Sequence, residues 1–164
     1  MSVGMVYMRP LRLAGISAVG EPHEQAEKSW TALNKWIAQK GFAREIEIGY
    51  GLLQQSPDGP QYFACIELPV TATKLETSEL RQINLDGGAH FRRRYNGPFC
   101  EIPSEFSSMQ RELSTDNKLC QDQSRPLLTI FLELKKFQLT GDIRSNNLIP
   151  VGVADIPGRS PRAA

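Results

Sequence analysis

The feature that most constrains the fold is a stripe of apolar residues, spaced for one side of a helix, that the chain carries twice. Each stripe follows a proline, and the two copies stand 76 positions apart. The stripes are Ala26, Trp30, Leu33 and Ile37 after Pro22, and Ile102, Phe106, Met109 and Leu113 after Pro98. Because this spacing puts apolar residues on one side of an α-helix, each helix is predicted to lay that face on a β-sheet.

Strand-like segments accompany both helices in the same order. The first helix is predicted at residues 23–40 and the second at 103–113. The predicted strands are 11–19, 46–53 and 62–68 in the first half, and 81–85, 89–95, 126–134 and 143–151 in the second. The turn residues Pro57, Asp58 and Gly59 indicate a hairpin in the first half.

We therefore predict an α+β fold built from a duplicated βαββ unit, with halves 11–70 and 81–151 and a linker at 71–80. The halves are expected to pair about a pseudo-twofold axis, because neither can bury its helix face and strands alone. This arrangement has antiparallel sheets, two main helices and a central ligand groove. Residues 1–10 are expected to be a flexible N-terminus and 152–164 a disordered tail.

Composition and charge exclude several classes of function. A formal net charge of +1 offers no basic surface for DNA, so direct nucleic-acid binding is not expected. No long apolar run occurs, so no membrane contact is expected. The three cysteines and two histidines are scattered and match no disulfide, redox or metal motif, which favours a cytoplasmic protein without a metal. No phosphate loop or hydrolase motif occurs, so no cofactor and no catalytic residue are predicted.

Several segments together resemble the GyrI-like small-molecule-binding domain. They are VGEP, AEKSWTALNKWI, YFACIELPV, LDGGAHF, NGPF and PLLTIFLEL, and with the repeat they extend over residues 11–151. This domain is the effector-binding part of some AraC-type and MerR-type regulators and also occurs alone, as in the DNA gyrase inhibitory protein SbmC. The resemblance implies two βαββ halves around a groove for bulky, flat, often cationic molecules. It also implies DNA gyrase or a transcription regulator as candidate protein partners. Because no helix-turn-helix segment is recognised, we expect a stand-alone form.

The resemblance places a glutamate of the groove on the strand PLLTIFLEL, where this chain has Thr129, with Phe131 as the neighbouring aromatic. Threonine cannot neutralise a cationic guest. Strand alternation puts Glu133 on the same face, which makes it a candidate replacement. His90 stands where the family often has tyrosine and could stack on a ligand or hydrogen-bond to it, although an ordinary strand histidine is the favoured interpretation.

Aromatic and aliphatic residues complete the predicted site. Trp30 and Phe106 occupy equivalent helix positions and could present an aromatic face to a guest, although packing in the core is the favoured interpretation. Gly51 and Leu53, in the predicted strand 46–53, are predicted to line the groove. The full predicted ligand set is Trp30, Gly51, Leu53, His90, Phe106, Thr129, Phe131 and Glu133.

Three functions remain open at this point. The repeat and the resemblance favour non-enzymatic binding or sequestration of a hydrophobic or amphipathic molecule, including cationic ones. The resemblance also suggests hydrolysis of reactive cyclopropane-bearing compounds. In this chain the general acid-base pair would be Glu133 with Tyr50 or Tyr95. The third is interaction with DNA gyrase through a surface.

Overall fold

The computed structural model describes residues 3–40, 46–67, 80–134 and 141–153, and these form an α+β fold with two main helices. The strands are β1 (Val3–Met8), β2 (Leu11–Ile16), β3 (Gly49–Ser56), β4 (Gly59–Glu67), β5 (Arg81–Leu85), β6 (Gly88–Pro98), β7 (Leu119–Gln121), β8 (Leu127–Phe131) and β9 (Asp142–Val153). The helices are α1 (Pro22–Lys40) and α2 (Ile102–Ser114), with a short 3-10 turn at Phe99–Glu101 before α2. The described strands all pair antiparallel, in the order β1-β6-β9-β8-β3-β4-β2-β5, and β7 pairs with β9.

A short connection makes this sheet curl. β1 and β2 are joined by Arg9 and Pro10 alone, yet five other strands separate them in the sheet order. In a flat sheet they would lie about 29 Å apart at about 4.8 Å per strand, whereas the chain from Met8 to Leu11 spans at most about 11 Å. The sheet must therefore bend round until its two ends approach each other.

The curled sheet has an inner face and a helix-covered face, and each carries its own core. The inner face is packed with Leu11, Leu13, Tyr50, Leu52, Phe63, Cys65, Leu128 and Leu148. The helix-covered face is packed with residues of alternate strand positions, among them Ala14, Ala64, Ile66, Phe91, Phe131 and Ile149. Alternation along each strand divides the apolar residues between the two cores.

Both helices rest on the sheet through the predicted stripes, and both predicted helices are confirmed. The eight stripe residues that follow Pro22 and Pro98 are all buried. Each helix begins within one residue of its predicted start, with a proline in the first turn, where the missing N–H has no helical partner to lose. The stripes therefore account for how the helices attach to the sheet.

The predicted hairpin in the first half is also confirmed. Ser56 and Gly59 pair across a turn of Pro57 and Asp58, which joins β3 to β4. Gly59 has φ +109°, a backbone conformation that favours glycine. The turn sets the register in which Gly51 pairs with Ala64 and Leu53 with Tyr62.

The structure corrects the prediction at several element boundaries. Residues 3–8, expected to be part of a flexible leader, form β1 and pair with β6. Its short alternation was not recognised: Met5 and Tyr7 are exposed, whereas Val6 and Met8 pack on the inner core. β2 ends at Ile16 instead of Val19, and the polar loop 114–125 contains β7.

Some predictions fall outside the described residues. They concern most of the linker 71–80 and the tail beyond Val153. β9 itself runs to Val153, two residues further than predicted.

Leu33→Ala and Met109→Ala are each expected to lower the free energy of unfolding by about 2–5 kcal/mol, because both side chains are fully buried at matched helix positions. Lys35→Ala and Arg111→Ala, two positions along, change exposed residues and are expected to shift it by less than about 0.5 kcal/mol. Urea denaturation of the four variants measures the difference. Similar losses in all four would contradict the assignment of the helix faces.

Candidate functional site

The candidate site lies on the helix-covered face where β3 and β8 pair in the middle of the sheet. Gly51 pairs with Thr129, and Gly49 pairs with Phe131. Two glycines at alternate positions of one strand leave a strip of backbone without side chains on this face. Aromatic side chains from neighbouring elements occupy that strip.

An aromatic cluster of Trp30, Tyr62, Phe131 and Phe99 packs over the two glycines. The Trp30 indole N–H donates to the Tyr62 hydroxyl at 2.8 Å. The Trp30 ring meets Phe131 edge to face at a centroid distance of 5.0 Å, and Phe99 stacks on Phe131 at 6.1 Å. Four elements, α1, β4, β8 and the turn before α2, thus contribute one ring each.

The glycines are needed because the aromatic rings approach the backbone closely. A Cβ atom at Gly51 would lie 2.2 Å from the Tyr62 hydroxyl oxygen, and one at Gly49 would lie 2.7 Å from the Trp30 ring. Real Cβ atoms do not approach other atoms so closely. Burial raises the pKa of Tyr62 well above its usual range, so its hydroxyl stays protonated, although the hydrogen bond from Trp30 acts in the opposite direction.

A row of polar residues continues from Gly51 across the sheet. Thr129 pairs with Asn147 on β9, and Asn147 pairs with Arg93 on β6. All three are buried, and Asn147 has no exposed surface. The Asn147 side-chain oxygen accepts a long hydrogen bond from Ser145 at 3.4 Å, but its amide nitrogen has no partner among the described residues.

Arg93 ties this row to α2. Its guanidinium donates to the Ser108 hydroxyl at 3.1 Å and to the Glu112 carboxylate, and Glu105 lies 3.8 Å away. The Arg93 side chain is 7% exposed, so these contacts neutralise a cation that is almost fully buried. Its Nε atom has no partner among the described residues.

Most of the predicted ligand residues come together on this face. Trp30, Gly51, Thr129 and Phe131 are in or beside the aromatic cluster, and Leu53 follows Gly51 on the same face of β3. Phe106 lies on α2 in the same hydrophobic core as Trp30. These six predicted residues share one face of the sheet.

Glu133 does not join them. β8 ends at Phe131, so the strand alternation that would have aligned Glu133 with Thr129 does not extend to it. Its carboxylate instead pairs with Arg144 at 3.5 Å, in a contact where both side chains are substantially exposed. An exposed pair of this kind supplies no buried negative charge to the site.

His90 lies on the opposite, inner face. It is buried, and its Nδ1 atom is 3.0 Å from the Gly88 carbonyl oxygen. Burial lowers the pKa of His90, and the nearby Arg125 cation lowers it further, whereas the hydrogen bond to Gly88 opposes them. The ring is therefore neutral near pH 7 and separated from Thr129 by the sheet.

The tyrosines considered for hydrolysis are engaged elsewhere. The Tyr50 hydroxyl faces the inner side and donates to Glu67 at 3.4 Å, and burial with this carboxylate raises the pKa of Tyr50 to about 12. The Tyr95 hydroxyl donates to the Pro98 carbonyl at 2.6 Å. Within the described part of the chain, no group of three His, Cys, Asp or Glu side chains could hold a metal ion. No described helix is long and apolar enough to cross a membrane.

Sequence reasoning missed Tyr62, Asn147 and Arg93. Arg93 lies between two other arginines, a run that is typical of a solvated strand edge. A signal for its burial was present in Glu105 and Glu112, which are seven residues apart on one side of α2 and face it. Tyr62 and Asn147 carry no comparable local signal, because only the strand pairing brings them to this place.

Solved structures share this fold. The chain aligns over 92% of its length with SAV2435 bound to tetraphenylphosphonium, with 94% of that chain covered, TM-score 0.62 and 14% identity. A hydrolase from Listeria innocua matches with the same TM-score and identity, covering 92% of this chain and 91% of that one. An uncharacterized conserved protein from Listeria innocua matches with TM-score 0.63 and 13% identity, covering 92% of both chains. No protein-family model and no curated protein sequence matches the chain.

Gly51→Ala is expected to lower the free energy of unfolding by about 1–3 kcal/mol, because the new methyl group would overlap the Tyr62 hydroxyl. Gly4→Ala is the matched control, since a Cβ atom there has no neighbour within 4 Å. In a Tyr62→Phe background the loss from Gly51→Ala is expected to be smaller, because the nearest overlapping atom is absent. A double-mutant cycle in urea measures this coupling, and purely additive losses would count against the contact.

Proposed function

We propose that this chain binds small, flat, hydrophobic or amphipathic molecules on the helix-covered face, at the aromatic cluster and the polar row beside it. The observation that carries the proposal is the fully buried Asn147 amide nitrogen, which has no partner among the described residues. Leaving a buried donor unpaired costs about 1–3 kcal/mol, and native proteins rarely keep such groups without a reason. A ligand that accepts a hydrogen bond there would supply the missing partner.

The aromatic cluster offers both a surface and a way to open it. Trp30 and Phe131 are fully buried in the cluster, so a flat guest would stack on their rings once the cluster opens. The Tyr62 hydroxyl lies over Gly51, and among the described contacts its ring is held on this face by the hydrogen bond from Trp30. Movement of Tyr62 would uncover glycine backbone next to Thr129 and Asn147. We therefore assign Tyr62 as the residue that moves when a ligand enters.

The charges of the polar row favour an uncharged ligand with an acceptor group over a cation. Thr129 and Asn147 bring no negative charge, and the carboxylates of Glu105 and Glu112 are partly exposed and turned toward Arg93. Glu133 pairs with Arg144 outside the site. SAV2435, which shares the fold, is bound to a phosphonium cation, and we propose that the preference of this chain differs.

We also propose that the chain is a GyrI-like domain with two βαββ halves. In support, the sheet order β6-β9-β8-β3-β4-β2 runs symmetrically outward from the β8–β3 pair. It would match β2 to β6, α1 to α2, β3 to β8 and β4 to β9. On this reading Trp30 and Phe106 are equivalent, and the site lies at the seam between the halves.

The other two functions receive less support. Hydrolysis needs an acid or base near an aromatic hydroxyl, whereas Tyr50, Tyr95 and Glu133 each contact a different partner. A role through DNA gyrase or a transcription regulator would need a recognition surface, and no residue of the described chain singles one out. The proposal therefore concerns a binding protein.

Titration with acridone, a flat neutral compound with a carbonyl acceptor, is expected to quench Trp30 fluorescence saturably and to raise the melting temperature, because ligands of the native state stabilise it. Trp36→Phe leaves Trp30 as the single tryptophan reporter. The flat cation 9-aminoacridine is expected to bind more weakly. No saturable quenching and no thermal shift with either compound would overturn the proposal.

Two variants sharpen this test. Asn147→Val is expected to weaken acridone binding by about tenfold through loss of the hydrogen bond. Little net change in the free energy of unfolding of the free protein is expected, because the variant removes a buried donor that lacks a partner together with the long hydrogen bond from Ser145. Tyr62→Phe is expected to tighten acridone binding several-fold while destabilising the free protein. The phenylalanine ring lacks the hydrogen bond from Trp30 and therefore moves away from Gly51 more easily. Lys35→Ala, exposed on α1, serves as the control for both.

A further inference from the structure

A cavity of about 240 Å³ lies on the inner face of the sheet, opposite the proposed ligand site. Its walls include Leu11 on β2, Ile83 and Leu85 on β5, and Leu128 on β8. The polar side chains of His90 and Arg125 also line it. The cavity is slightly smaller than the range of about 300–1,000 Å³ typical of drug-sized ligands, which points to a small guest.

Arg125 is fixed in this wall by its neighbours. Its Nε donates to Asp122 at 2.9 Å, and its Nη2 donates to the carbonyl oxygens of Val151 at 2.9 Å and Ala89 at 3.2 Å. Its Nη1 is buried and has no partner among the described residues. The guanidinium is thus oriented by three contacts, and one buried nitrogen is left without a partner among the described residues in the wall of the cavity.

The backbone beside Arg125 accommodates that nitrogen. A Cβ atom at Gly88 would lie 2.4 Å from Nη1, and Gly88 has φ +149°, so a side chain there would be both crowded and strained. The Gly88 carbonyl oxygen meets Nδ1 of His90, and a carbonyl can only accept, so Nδ1 carries the proton. Gly88 therefore brings the histidine and the guanidinium to the same corner of the cavity.

We propose that this cavity binds a small monocarboxylate with a compact apolar body. The carboxylate accepts from the unpartnered Nη1 of Arg125, as charge-assisted hydrogen bonds between arginine and carboxylates commonly do. The apolar body lies against Leu11, Ile83, Leu85 and Leu128, and its burial adds hydrophobic stabilisation.

Other charges around the cavity are compatible with an anion. Arg9 also lines it, with an exposed side chain that pairs with Glu67 at 2.7 Å. Asp86 is the acidic residue of the lining and lies at the exposed turn between β5 and β6. Asp122 already accepts from Arg125 and Ser124, which leaves the opposite side of the guanidinium to the guest.

The test compares cyclohexanecarboxylate with its uncharged isostere cyclohexanecarboxamide, by isothermal titration calorimetry and by NMR of the His90 ring. The carboxylate is expected to shift the His90 signals saturably and to bind about tenfold to a hundredfold more tightly than the amide. No saturable shift of His90 at millimolar carboxylate, or equal affinity for both compounds, would overturn the proposal.

Variants test separately how the charge and the shape of the cavity contribute to binding. Arg125→Gln is expected to abolish the preference for the carboxylate, and Arg111→Gln, an equal charge change at an exposed position of α2, is expected to keep it. Because Arg125 also supports the backbone, Leu85→Phe provides a second route: it fills the cavity, keeps the guanidinium and is expected to prevent binding. A Leu85→Phe protein that binds like the wild type would contradict the location. Acridone binding on the other face tests a different site, so failure of either proposal leaves the other standing.

Discussion

The connection of two residues between β1 and β2 is the constraint on which the rest of the structure depends. It joins strands that a flat sheet would hold far apart, so the sheet must curl and acquire an inside and an outside. The inside is packed with aliphatic residues together with Tyr50, Phe63 and Cys65, and the two helices cover the outside. Both proposed sites follow from this division, since each lies on one face and the sheet separates them.

On the helix-covered face, a tightly packed aromatic cluster lies next to buried polar groups that lack hydrogen-bond partners among the described residues. The aromatic cluster fits only because Gly49 and Gly51 have no side chains, and this close packing stabilises the centre of the sheet. Next to it the row of Thr129, Asn147 and Arg93 is buried without full hydrogen bonding. A core selected for stability alone would place apolar residues there, because an unpaired buried donor costs more than an apolar replacement. The proposed ligand site rests on these unpaired groups.

The sequence predicted those elements whose information is local. The helix stripes are periodic, and the hairpin is encoded by Pro57, Asp58 and Gly59 in succession. β1 was missed because a short edge strand with exposed Met5 and Tyr7 has little periodicity to detect. The predicted α+β class with two helices and antiparallel pairing agrees with the structure, whereas the duplication of the βαββ unit stays a proposal.

The candidate site was predictable only in part, for a physical reason. Trp30, Gly51, Thr129 and Phe131 could be placed on one face from alternation and helix periodicity, and the structure brings them together. The same alternation also predicted Glu133 on this face, but the strand ends before Glu133. The contributions of Tyr62 and Asn147 depend on which strands become neighbours in the sheet. No local sequence pattern specifies that order.

The most direct measurement of the central claim is a crystal structure of the chain with acridone. The account predicts acridone against Trp30 and Phe131, the Tyr62 hydroxyl displaced from Gly51, and the acridone carbonyl within hydrogen-bonding distance of the Asn147 amide nitrogen. Acridone bound elsewhere, with Tyr62 still over Gly51 and the Asn147 nitrogen still without a partner, would contradict it.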